Sequence, residues 1–107
     1  MQDLLLVYIT TATLDEAKLL ANDLVQNRLA ACANIVPSVH SVFHWQGSLK
    51  QKDESLLLLK TNKAAFARLC ARAQSLHSYA LPCIVALPLS EALPQFAAWI
   101  THELEQA

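Results

Sequence analysis

Charge is scarce in this chain. Charged residues make up 16% of its 107 residues and balance to a net charge of −1. It has no run of lysine or arginine, so it lacks the electrostatic footprint of a nucleic-acid binder. No apolar run approaches the roughly 20 residues that span a bilayer. The segment MQDLLLVYITTATLDEA carries neither a positively charged n-region nor a small-residue cleavage site, and the sequence reads as cytoplasmic. Cysteine is limited to Cys32, Cys70 and Cys83, an odd number without a CxxC pair. That pattern argues against a disulfide framework and a zinc knuckle, and each thiol is expected to be buried as a small hydrophobe. Glycine occurs once, as Gly47. With no repeat, linker or low-complexity segment, residues 1–107 read as one domain.

What is abundant is apolar surface, at 54% of the residues. A domain of this size buries only part of such a surface by itself, so association with further copies is expected.

The solitary glycine falls inside CANIVPSVHSVFHWQGSLKQKDESLLLLKT, residues 32–61, which predicts two long strands meeting at Gly47. At about 3.3 Å per residue, Ala33 to Trp45 would span roughly 43 Å. A compact chain of this length has a diameter near 34 Å, from a radius of gyration of roughly 13 Å. The hairpin should therefore overhang its own domain and offer unpaired backbone to a partner. Alternation puts Val39, Ser41, Phe43 and Trp45 on one face and His40, Val42 and His44 on the other. Pro37 cannot donate to a ladder and marks an edge or a bulge.

The flanking segments complete the fold. Leu4 to Thr10 predicts a buried strand. Thr13 and Glu16 have capping-box spacing and open a helix that runs to about Arg28. Leu56 to Leu59 is an apolar block suited to a strand buried on both faces. Lys63 to His77 predicts a second helix through Phe66, Leu69, Cys70, Ala73 and Leu76. Pro82 to Leu89 predicts a fourth strand, and Pro94 the first turn of a last helix striped by Phe96, Ala97, Ile100 and Leu104. The order β-α-β-β-α-β plus a C-terminal helix is that of an α+β, ferredoxin-like sandwich. Two helices cover one face of its sheet, and a subunit partner is the simplest cover for the other.

Catalytic constellations are not legible. Asp15 and Glu16 suit the positive end of a helix dipole, and Asp53 and Glu54, near the hairpin tip, read as solvated. The loop after the first strand, TTATL from Thr10 to Leu14, has no arginine or glycine to cradle a phosphate. An enzyme is therefore not expected. For metal, His40 and His44 face the same way but stand roughly 13 Å apart along the strand, too far to share one ion bonded at about 2 Å. His77, next to Tyr79 at a helix–strand junction, and His102 are the other imidazoles. Each histidine taken alone reads as a surface or interface side chain.

Three segments together resemble the CutA divalent-cation tolerance family. NRLAACANIVPSVHSVFHWQGSL, Asn27 to Leu49, is similar to that family's ERLAACVNIVPGVTSVYWWEGKI. LLLLKT, Leu56 to Thr61, and LHSYALPCIVALPL, Leu76 to Leu89, follow in the family's order and spacing, the latter resembling LHPYEVPEIIALPI. The chain departs from the pattern at Ser38, His44 and Ser78, which stand where the family has glycine, an aromatic and proline. Some bacterial members carry a cysteine and two adjacent histidines proposed as copper ligands. The matching positions here are Ile9, Leu76 and His77, so one of the three is kept.

The resemblance implies a tight homotrimer in which the long hairpin strands pair between subunits, and architectural kinship with the PII signalling proteins, which hold ligands in inter-subunit clefts. It implies a role in tolerance of copper or another divalent cation, with His77 as the candidate metal ligand. Arg28, Trp45, Lys60 and Tyr79 are the expected residues of an inter-subunit cleft or interface, since an aromatic wall with a few polar groups suits a small ligand. The reading that follows is a trimeric binding or regulatory protein. The alternatives are a PII-like metabolite sensor and a trimeric scaffold for another protein.

Overall fold

The structure is a computed structural model and describes residues 3–106. Its described residues form β1 (Leu4–Thr11), α1 (Leu14–Gln26), β2 (Cys32–Trp45), β3 (Ser48–Asn62), α2 (Lys63–Leu76), β4 (Ile84–Pro88) and α3 (Pro94–Leu104). The four strands make one antiparallel sheet in the order β2-β3-β1-β4. β3 thus lies between β1 and β2, the strands that α1 connects, which is the split arrangement of the ferredoxin-like fold. No helix among the described residues is long and apolar enough to cross a membrane.

Helix boundaries follow their caps. Thr13 is extended, and its hydroxyl accepts the Glu16 N–H at 3.1 Å. The Glu16 carboxylate reaches back one residue further than in a standard capping box, to the Ala12 N–H at 3.1 Å. Asn62 caps α2 through the Ala65 N–H at 2.9 Å. α1 ends where Arg28 adopts φ 60°, while the Leu29 and Ala30 N–H groups both turn back to the Leu24 carbonyl. Pro94 opens α3, where its missing N–H costs nothing.

The core lies between the sheet and α1 with α2. Val7 and Ile9 of β1 stand opposite Leu59 and Leu57 of β3, and all four are fully buried against Leu20, Leu24, Leu69 and Ala73. Asp23 and Arg72 tie the two helices across their outer side with a two-pronged ion pair, 2.9 and 2.7 Å. The opposite sheet face is covered at one end only. There Leu4 and Ala31 pack under Ala97 and Ile100 of α3. The rest of that face leaves Val36, Val85 and Leu87 at 38%, 50% and 49% exposure.

The hairpin has the form its sequence predicts. Trp45 pairs with Ser48 across Gln46 and Gly47, both at positive φ (51° and 82°), so the connection is a two-residue turn of the I′ kind. Pro37 and Ser38 together oppose Ser55, a bulge in the edge strand β2. The Ser55 hydroxyl donates to the carbonyl of Pro37 at 2.7 Å, so the bulge leaves that acceptor satisfied. Beyond the bulge the two strands run on with no third strand paired to them among the described residues, and they give the chain its long axis, 44 × 26 × 22 Å. β4 is shorter than predicted. It begins at Ile84 because residues 80–83 form the loop that enters the strand, which leaves Cys83 exposed rather than buried. Cys32 and Cys70 are half-buried, and burial raises the Cys70 thiol above its ordinary pKa.

Candidate functional site

The segment after α2 reaches buried polar groups of β1 and β3, His77 at Thr10 and Tyr79 at Glu54. The sequence reads His77 as a surface or interface imidazole, and its side chain is fully buried within the single chain. Its Nε2 meets the Thr10 carbonyl at 2.8 Å, and its Nδ1 accepts the Tyr79 N–H at 3.0 Å. A carbonyl can only accept and an amide N–H can only donate, so the ring is the neutral tautomer carrying its proton on Nε2. Both nitrogens are spent on backbone. Glu16 Oε2 lies 3.7 Å from Nδ1, beyond hydrogen-bond reach. His77 is therefore a clasp between the end of β1 and the loop before β4.

Glu16 forms the second clasp. It accepts the Ser78 N–H at 2.7 Å and the Ser78 hydroxyl at 3.0 Å, besides the Ala12 N–H. Burial works to raise its pKa, but these donors outweigh it and hold the carboxyl below its ordinary range. The family's proline is a serine here, and that serine supplies two of the donors.

Tyr79 is held on three sides. Its hydroxyl donates to Glu54 Oε2 at 2.7 Å. Its ring lies 4.8 Å from the His77 ring, and Lys52 Nζ stands 4.0 Å over its face. Burial, then the hydrogen bond to the Glu54 carboxylate and its charge, push the phenol well above its ordinary pKa. Glu54 itself is 7% exposed, contrary to the expectation of a solvated residue. It sits at the hairpin root opposite Val39, beside the bulge, where the Tyr79 loop covers it. Alternation from Leu56 and Leu58 was the signal that could have placed it on the Tyr79 side.

Beside Tyr79 opens a cleft of about 610 Å³. The hairpin contributes Ser41, Phe43, Trp45, Lys50, Lys52 and Glu54, β1 contributes Tyr8 and Thr10, and the loop contributes Tyr79 to Cys83. Of the four expected cleft residues, the structure brings Trp45 and Tyr79 together here. Lys60 lies six strand residues from Glu54, about 20 Å along β3, and its Nζ donates to Asn34 Oδ1 at 2.8 Å. Arg28 is elsewhere again, pairing with Glu103 of α3 at 2.8 Å. His40 is on the hairpin's other face, between Asp53 Oδ1 at 2.9 Å and Gln51 Oε1 at 3.0 Å. Asp53 raises its pKa above the ordinary value. The described residues of one chain gather no set of three or more His, Cys, Asp or Glu side chains that could hold a metal ion.

The model of the CutA1 divalent ion tolerance protein family matches residues 5–103. The chain belongs to this family. The CutA divalent-cation tolerance protein of Thermus thermophilus is 44% identical over 94 residues, covering 88% of this chain and 91% of that one. That of Archaeoglobus fulgidus is 37% identical over 99 residues, covering 92% and 96%. Among solved structures, CutA1 from Oryza sativa superposes with a TM-score of 0.94 at 29% identity, covering 99% of this chain and 97% of that chain. The α+β fold read from the sequence is the fold of these CutA1 structures. On this CutA1-type scaffold the Tyr79–Glu54 bond joins two walls of the cleft.

Proposed function

We propose that this chain serves divalent-cation tolerance as a cytoplasmic homotrimer, a binding and regulatory protein rather than an enzyme. The observation that carries the reading is the half-covered sheet. Val36, Val85 and Leu87 lie exposed on one face of the sheet among the described residues, next to a hairpin that extends past its own sheet. Exposed apolar area of this kind marks an interface. Further copies of the chain, packed around a threefold axis, would cover it and pair with the free edges of β2 and β4.

Copper or another divalent cation is the proposed cargo of the tolerance role. His77 would have to give up a backbone hydrogen bond to take one, so the geometry supports its role as a clasp and favours a site formed between copies. The cleft at Tyr79 favours a second reading, a PII-like sensor that binds a small metabolite where subunits meet. Its size lies within the few hundred to about 1,000 Å³ usual for ligand sites.

Native mass spectrometry of protein taken directly from cells tests these readings. Three subunits with a retained metal ion support direct metal action, and three subunits with a retained organic mass support the sensor. A single chain overturns the assembly on which both depend. Calorimetry with copper separates the metal sites: His77→Ala should leave copper affinity unchanged, and a loss of binding restores His77 as a ligand.

A further inference from the structure

His40 and His77 meet their partners in opposite ways. His77 faces an acceptor with one nitrogen and a donor with the other, the Thr10 carbonyl and the Tyr79 N–H, which a neutral ring satisfies. His40 faces acceptors with both, Asp53 Oδ1 at 2.9 Å from Nδ1 and Gln51 Oε1 at 3.0 Å from Nε2. A neutral imidazole has one N–H and donates to only one of them, whereas the imidazolium donates to both. A neutral ring keeps the second bond only if the Gln51 amide turns over to donate. Asp53 is the one charged group among the described residues that acts on the ring. His44, the other titratable group on this face of the hairpin, stands a further four residues along β2, opposite Leu49.

These bonds sit where the chain has least to hold it. Beyond the bulge β2 and β3 form a two-stranded arm with no third strand among the described residues. A lone hairpin is marginal in water, and its cross-strand pairs decide how well it is ordered. On one face of the arm Tyr79 fastens Glu54 at the root. On the other, the side-chain bonds that join the two strands among the described residues are those of His40. That face is turned away from the one that copies close, so closing it leaves the His40 pair in place. We propose that His40 is a pH-operated clasp: its imidazolium orders the arm and so favours association of copies, and both effects weaken as the ring loses its proton. The proposal rests on the trimeric reading and adds its regulation. An arm ordered beforehand loses less freedom on association. The clasp is complete below pH 6.5 and is lost as pH rises through the folded value, which the Asp53 bond lifts above 6.5.

Hydrogen-exchange mass spectrometry of the full-length parent and of His40→Gln, at pH 5.5 and pH 8.5, reads the order of the arm as protection factors. Light scattering of the same proteins through a urea series reads the assembly. His40 is exposed, so the variant should fold as the parent does. Over residues 39–53 the parent should be protected about threefold more than the variant at pH 5.5, the size of one cross-strand charge pair, and should match it at pH 8.5. Protection of β1 should not differ between them at either pH. The urea concentration at which the assembled mass is lost should be higher for the parent at pH 5.5 and equal for the two at pH 8.5. The proposal is overturned if the gap in arm protection is absent at pH 5.5, is the same at both pH values, or is larger at pH 8.5. A gap in protection without a gap in urea overturns the link to association. A parent that is a single chain at both pH values and still shows the protection gap sinks the trimeric reading and leaves the arm clasp standing.

Discussion

The Tyr79 hydroxyl donates to Glu54 Oε2 at 2.7 Å and so fastens the loop before β4 to the root of the long hairpin. Removing that hydroxyl in Tyr79→Phe leaves a buried carboxylate short of its donor, at an expected cost of about 1–3 kcal/mol. The cost should depend on pH. The folded protein holds the phenolic proton more tightly than the unfolded chain, whose value is near 10.0. The stabilisation is therefore complete below pH 10 and is lost as pH rises through the folded value. Urea denaturation of both proteins at pH 8 and pH 10.5 checks this, and a margin that widens at the higher pH contradicts it.

Glu16 has the opposite sign. Its carboxyl is held below the ordinary 4.5, so its contribution is present above that value and fades as pH falls through the folded one. Glu16→Gln should cost about 1 kcal/mol at neutral pH, and the cost should shrink as pH falls below 4.5. A cost that stays constant down the acid limb of a pH series of urea denaturations would mean that shape, not charge, makes the clasp.

His40 titrates above 6.5 because Asp53 Oδ1 lies 2.9 Å from its Nδ1. A raised value favours the folded hairpin below pH 6.5, and the benefit disappears as pH climbs through the folded value. Asp53→Asn should return the imidazole toward 6.5, as read by NMR titration of its ring protons. An unchanged titration in that variant would place the cause elsewhere.

Arg28 holds a left-handed conformation, φ 60°, at the end of α1 while pairing with Glu103. The conformation costs a residue with a Cβ about 1 kcal/mol relative to glycine, and an exposed ion pair is worth about 0–1 kcal/mol. Arg28→Gly should therefore be close to neutral. Arg28→Ala loses the pair and keeps the strain, and should fall below the glycine variant by about 1 kcal/mol in chemical denaturation. Equal stability of the two variants would show that the strain is absent.

The elements that could be read from the sequence are those set by local pattern. Gly47 fixes the turn, the uninterrupted runs on either side fix the strand lengths, and Thr13 opens α1. What escaped was set by segments distant along the chain. His77 reads as a surface or interface histidine at a helix end, and it is buried where the Thr10 carbonyl, 67 residues away, accepts a hydrogen bond from its Nε2. Glu54 looks like a solvated residue until Tyr79 covers it. Cys83 has apolar neighbours in sequence and solvent in space, because it belongs to the loop and not to β4. Arg28 and Lys60 group with Trp45 and Tyr79 by residue type, and within one chain they serve other contacts.

The proposed trimer requires copies of this chain to close the exposed half of the sheet. Multi-angle light scattering behind a sizing column measures it directly, for the parent and for a Val85→Glu, Leu87→Glu variant. A trimer should give a parent mass of three times 11.8 kDa that holds on dilution, and a variant that dissociates. A parent that elutes at 11.8 kDa, or a variant that stays assembled, would contradict it.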